Sequence, residues 1–371
     1  MVNRLLTTTS GFRADLAATR RLRREREAAA DPGSPTSVTE VLTLRHREAM
    51  LTGARPGDLL DLATAVDAAV ERFPTWPDLR LLRAGLALAV HRADLAATSM
   101  DALPELASVP PGRVVLADIA MSRGDYAGAG AGYQQAARED PRWDTTARLA
   151  ALAVATGGCT DADELYAAAE DELTAEQPRA FAWVRVRRAE LAQALGDPDR
   201  AGRLLADADR AYPDWWYVTV HRAAMDLSLR RWDQAIEGYR RVLAEVDRPE
   251  FREALGTAFA GAGRVDCAAE CHAVARSAYL ASVARGEVHH LHHLAAFHAD
   301  VHPHSGAAVA WAAQDAAVRR NGTTLSLLAW CLHRAGRQEE ALAVLDEASA
   351  LGAADPRLQA RAREIREGAR S

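Results

Sequence analysis

A ladder of small residues recurs through this chain at a spacing of about 33 to 39 residues, and it restricts the possible folds more than any other feature. The clearest copy carries Ala117, the turn residue Gly124, then Ala129, Tyr133 and Ala136, and closes on Pro141. The same intervals return as Ala150, Gly157, Ala162, Tyr166 and Ala169, and as Ala189, Gly196, Ala201, Leu205, Ala208 and Pro213. Further copies are Ala223, Ala235, Tyr239 and Val242; Gly256, Gly263, Ala268, His272 and Ala275; and Ala329, Gly336, Ala341, Leu345 and Ala348. Two antiparallel helices approach closely only where their facing side chains are small. A glycine between them turns the chain, and a proline stops the second helix. The ladder predicts stacked helical hairpins.

Composition agrees. Alanine supplies 82 of the 371 residues, while Ile occurs only at Ile119, Ile236 and Ile365, which starves a β-sheet of its usual branched filling. The 45 basic residues against 51 acidic ones give a net charge of −6, without the basic footprint of a general nucleic-acid binder. Every basic residue is Arg, so Schiff-base or phosphate-loop chemistry that needs Lys is absent. Four cysteines are too few for a disulfide framework, the Arg-bearing start is unlike a signal peptide, and charged residues interrupt every apolar run. These features lead us to expect a reduced, cytoplasmic chain with no membrane span.

The ladder resembles the tetratricopeptide repeat, whose signature has small residues at the eighth, twentieth and twenty-seventh positions, an aromatic at the twenty-fourth and Pro at the thirty-second. The departure is the fourth position, where that family favours Trp and this chain has Arg113, Thr146, Arg185, Thr219, Arg252 and Leu325. The resemblance covers roughly residues 40–350. It implies an all-α fold, a right-handed α-solenoid of about eight or nine hairpins, whose concave groove binds a protein or peptide. Residues 1–37 read as an Arg-rich helix and linker, either a solvated cap or a docking arm for an acidic partner. Residues 38–354 form the array, and 355–371 form a polar capping helix.

Seven of the twelve histidines crowd into one stretch: His289, His290, His292, His293, His298, His302 and His304. If EVHHLHHLAAFHADV is one helix, His289, His293 and Asp300 share a stripe about 40° wide, and the i,i+4 histidine pair is a recurrent metal grip. Asp300 would stand roughly 16 Å along the axis from His289, so further ligands must come from a neighbouring repeat, Glu253 or His333. His289, His290 and His293 are thus candidate ligands for Zn, Fe or Cu. In the repeat frame the groove is lined by His290, His293, Phe297 and Asp300, flanked by Glu250, Glu253, Trp330 and His333. The competing reading makes the histidines polar groove lining and loop, with His292 packed inside, and makes Cys267 and Cys271 small hydrophobes. No GxSxG, HExxH, GxGxxG or EF-hand pattern defines an enzyme class, so catalytic residues are unknown. The functional expectation is a binding scaffold; the alternative is a metal-dependent protein, or an enzyme of small-molecule biosynthesis, using the hairpin 289–304.

Overall fold

The structure, a computed structural model, describes residues 11–54 and 56–368; the outer ends of the predicted terminal segments, 1–10 and 369–371, lie outside it. Among the described residues the fold is helical throughout, without a strand. The N-terminal helix α1 (Phe12–Ala28) precedes nine hairpins. These are α2 (Pro35–Leu51) with α3 (Pro56–Arg72), α4 (Pro77–Ala89) with α5 (Ala93–Asp101), α6 (Pro110–Arg123) with α7 (Tyr126–Glu139), and α8 (Trp143–Ala155) with α9 (Cys159–Asp171). They continue as α10 (Pro178–Ala194) with α11 (Pro198–Ala211), α12 (Trp216–Ser228) with α13 (Trp232–Glu245), and α14 (Pro249–Gly261) with α15 (Val265–Ala284). The last two are α16 (Leu291–Ala296) with α17 (Ser305–Val318), and α18 (Gly322–Arg334) with α19 (Gln338–Ala350), capped by α20 (Pro356–Gly368).

The small-residue ladder is the packing seam of each hairpin. Ala150, Ala162 and Ala169 are fully buried, as are Ala329, Ala341 and Ala348. The turn glycines Gly124, Gly157, Gly196, Gly263 and Gly336 all have positive φ, and in the copies that lack a glycine His91 and Arg230 take that conformation instead. Each hairpin lays its second helix on the first helix of the next, and some successive first helices also touch, α4 with α6, α10 with α12 and α16 with α18 among them. Helix α20 packs on α18, where the next first helix would stand, and so covers the end of the array.

The array winds tightly enough for its second turn to sit on its first. The Tyr212 hydroxyl donates to Asp15 at 2.8 Å, and the Arg248 guanidinium donates to the Gly53 carbonyl at 3.1 Å. The Asn321 side-chain amide donates to the Ser122 carbonyl at 2.9 Å, and the Gly322 N–H to the Tyr126 hydroxyl at 2.8 Å. These four pairs are 197, 195, 199 and 196 residues apart, a near-constant offset worth about six hairpins of about 33 residues. The turns inside early hairpins therefore meet the loops between later ones.

Two expectations need correction. The linker after the Arg-rich helix spans only 29–34, because Pro35 at the first turn and the Ser34 side chain, which accepts the Ser37 amide, start α2 there. The Arg-rich face of α1 also meets acids of this chain: Arg20 and Arg23 both donate to Glu48, and Arg26 pairs with Glu40. The predicted helix 287–301 is broken as well. Gly286, at φ +82°, ends α15, residues 287–290 form a loop, and α16 runs only from Leu291 to Ala296 before a π-helical turn over Phe297–Val301. No helix among the described residues is long and apolar enough to cross a membrane.

Candidate functional site

The second helix α15 is 20 residues long, whereas α11, α13 and α17 have 14 each. Its added length carries Tyr279 and Ser282 beyond the usual hairpin and delivers the loop 285–290 beside α14. Both anchors are buried. The Tyr279 hydroxyl donates to Glu253 on α14 at 2.8 Å, and the Ser282 hydroxyl donates to Glu287. The Arg285 guanidinium donates to the other Glu287 oxygen at 2.8 Å.

Around these anchors lie Glu287, His289 and His290, each offering one ligand atom within 4.8 Å of the others. The His289 Nε2 stands 3.9 Å from Glu287 and the His290 Nε2 4.0 Å from Glu250 of α14. The two imidazoles lie against each other with centroids 4.0 Å apart. His290 is only 4% exposed, and both of its ring nitrogens are buried without a hydrogen-bond partner, as are the His289 Nε2 and one Glu250 oxygen. Burial lowers the His289 pKa, and burial reinforced by His289 and His293 lowers that of His290 to about 3, so both rings are neutral near pH 7. Burial alone would raise Glu287, but hydrogen bonds from Arg285 and Ser282 hold it below the usual carboxylate range.

The eight groove candidates separate into three environments. Glu250, Glu253, His290 and His293 gather around Tyr279; the His293 ring stacks on Tyr279 at 5.5 Å and 13°, and burial lowers its pKa to about 4. Glu253 is pushed up to about 7, first by burial and then by the nearby charges of Glu250 and Asp300, against the lowering hydrogen bond from Tyr279. Asp300, Trp330 and His333 form a second group: the Trp330 indole N–H donates to Asp300 at 2.9 Å and its ring lies 5.6 Å from His333. Helix α20 lies over this group, with Arg361 over the Trp330 ring and bonded to Ser326 at 3.3 Å.

Phe297 is corrected from groove to core. It is 1% exposed and sits between the rings of His272 on α15 and His302. The stripe of His289, His293 and Asp300 is likewise absent, since the three residues occupy a loop, a helix and a π-helical turn. His292 is half-buried and bonds Asp315 at 3.1 Å; Asp315 bonds Arg319 at 3.1 Å, and Arg319 reaches His91 at 3.2 Å across the seam between turns. His304 caps α17 by accepting the Ala307 amide. Cys267 is exposed and Cys271 half-buried, and all four cysteines are free thiols.

Glu287 was not recognisable as a site residue from sequence. Its only signal is the spacing ExHH, which gathers three ligand atoms once the helix is broken but scatters them on an intact one. A cavity of about 270 Å³ adjoins the group, between α3, α4, α5 and the loop 285–289. Its walls include Leu59, Val66, Leu86 and Val90, with Arg83 and Arg92, and His289 opens onto it.

Comparison with known proteins yields no matching family model and no match among curated sequences. Among solved structures, Cut9 in the APC/C hetero-tetramer Cut9–Hcn1 superposes with a TM-score of 0.53 at 13% identity, covering 84% of this chain and 59% of that one. A tetratricopeptide repeat protein from Parabacteroides merdae gives a TM-score of 0.49 at 14% identity, covering 67% of this chain and 92% of that one. Yeast Tom70 gives 0.47 at 12%, covering 95% and 86%.

Proposed function

We propose that this tetratricopeptide-like α-solenoid is a scaffold that holds a protein or peptide partner on the inner wall formed by its first helices. Helical-repeat arrays of this architecture expose a long curved surface rather than a deep cleft, and they typically mediate protein–protein interaction. The observation that carries the reading here is the run of charged and aromatic side chains on consecutive first helices. Glu190 lies on α10, Tyr217 and His221 on α12, Glu250 and Glu253 on α14, and all are half-buried. The His221 ring joins Glu190 at 3.1 Å and rests 4.3 Å from the Tyr217 ring, so α10 and α12 share one polar and aromatic patch, and α14 adds its two acids in the next hairpin. Such side chains supply interface energy when a partner desolvates them.

The test compares proteins captured from the source cells by the unaltered chain with those captured by a Tyr217→Ala, His221→Ala double variant. A control variant changes Val265, which is exposed on the outer helix α15. The expected result is a loss of about tenfold or more in one specific captured protein with the double variant, the effect of removing hot-spot side chains, and none with the control. Equal capture by all three chains overturns the reading.

A further inference from the structure

We propose that Glu287, His289 and His290 form a binding site for one divalent first-row transition metal ion, with Zn²⁺ as the reference ion. This goes beyond the scaffold reading and stands or falls independently of any protein partner. Two imidazoles and one carboxylate on a loop anchored at both ends are a recurrent donor set for such ions, and their ligand atoms already lie within 4.8 Å of one another. Ligand atoms of a tetrahedral Zn²⁺ ion stand about 3.4 Å apart, as follows from bonds of about 2.0–2.1 Å, so closure asks only a small movement of the loop.

Three features separate this group from a chance cluster. First, the His289 Nε2 and both His290 nitrogens are buried without hydrogen-bond partners, and buried polar atoms are normally satisfied. An ion would take up one nitrogen from each ring. Second, Glu287 is held from behind by Ser282 and Arg285, the outer-shell support that orients a ligating carboxylate. Third, Ser282 lies in the six residues by which α15 outruns α11, α13 and α17, so the site depends on a departure from the repeat and not on the repeat itself. His293 stands outside the set, since the ligand atoms that lie within 4.8 Å of one another are those of Glu287, His289 and His290. With three protein ligands, a fourth position remains for water or for an exogenous carboxylate, and the neighbouring cavity of about 270 Å³, onto which Glu287 and His289 open, gives such a ligand room.

The experiment uses the full chain after dialysis against EDTA. Zn²⁺ is titrated calorimetrically, and Co²⁺ serves as a spectroscopic probe of coordination. The expected result is one ion per chain, visible d–d bands with Co²⁺ that Zn²⁺ abolishes, and no displacement by Mg²⁺ in excess. Glu287→Gln and His289→Gln should each weaken Zn²⁺ binding by about 100-fold or more, beyond the loss of an outer-shell partner, while His293→Gln leaves it within about threefold. If Glu287→Gln does not fold, His289→Gln carries the test, since its ring is partly exposed and changes little of the core. Absence of stoichiometric binding by the unaltered chain overturns the proposal. So does binding that survives His289→Gln or that is lost with His293→Gln alone.

Discussion

The Gly322 amide donates a 2.8 Å hydrogen bond to the Tyr126 hydroxyl across 196 residues of sequence. Tyr126 starts the second helix of one hairpin and Gly322 starts the first helix of another, almost one full superhelical turn later. The space between them is closed as well: a Cβ on Gly322 would stand 2.9 Å from the Tyr126 oxygen and 2.6 Å from Ala353. The bond marks where the second turn of the solenoid rests on the first. It makes the molecule a closed coil instead of an open spiral.

Tyr126→Phe leaves a buried amide without its acceptor and should lower stability by about 1–3 kcal/mol, the cost of one unsatisfied buried donor. A thermal melt checks the loss. An unchanged melting temperature would mean that this bond contributes nothing to stability.

The turn glycines separate hairpin strain from seam contact. Gly124 and Gly196 have φ of +81° and +82°, but a Cβ on Gly124 would stand 2.7 Å from the Arg320 carbonyl, whereas nothing lies within 4 Å of one on Gly196. Gly196→Ala should cost about 1–2 kcal/mol of left-handed strain. Gly124→Ala should cost distinctly more and should expand the radius of gyration in solution scattering. Equal effects from the two would contradict the seam.

Asp315 is 2% exposed and shares its oxygens between His292 and Arg319. Asp315→Asn strips the half-buried Arg319 guanidinium of its counter-charge and weakens a charge-assisted hydrogen bond, a loss of about 1.5–3 kcal/mol. Because Arg319 also reaches His91 across the seam, the melt of this variant should show early loss of contacts between turns, detectable as hydrogen exchange in the 88–92 turn.

Glu253 sets a pH dependence. Its folded pKa of about 7 stands above the unfolded carboxylate value, through burial and the charges of Glu250 and Asp300. The folded chain therefore binds the extra proton. The stabilising contribution is fully present below about pH 4.5 and is lost as pH rises through about 7. Glu253→Gln should flatten this decline in a melting series between pH 5 and 8, while the Tyr279 hydroxyl keeps an acceptor in the amide oxygen. A decline of undiminished slope would remove Glu253 as its source.

Much of the fold was legible because repeat packing is local. Ala117, Ala129 and Tyr133 face one another within a single hairpin, and the small size of alanine and the permissive φ of glycine act over fewer than twenty residues. Site residues were only partly legible. His289 and His290 stand out by composition, but the helical periodicity of 287–301 gives no sign that Gly286 ends α15 and a loop follows, and that break is what joins Glu287 to the two histidines and leaves Phe297 in the core.

The sequence alone therefore determined the hairpin, its period, its turns and the crowding of histidines, all properties of neighbours along the chain. The tertiary structure decided how many hairpins make one turn of the coil, that Tyr126 meets Gly322, that α20 covers Trp330, and which donors converge beside Glu250. The physical reason is accumulation. Each hairpin adds a small rotation to the last, and only their sum brings residues almost 200 positions apart into contact.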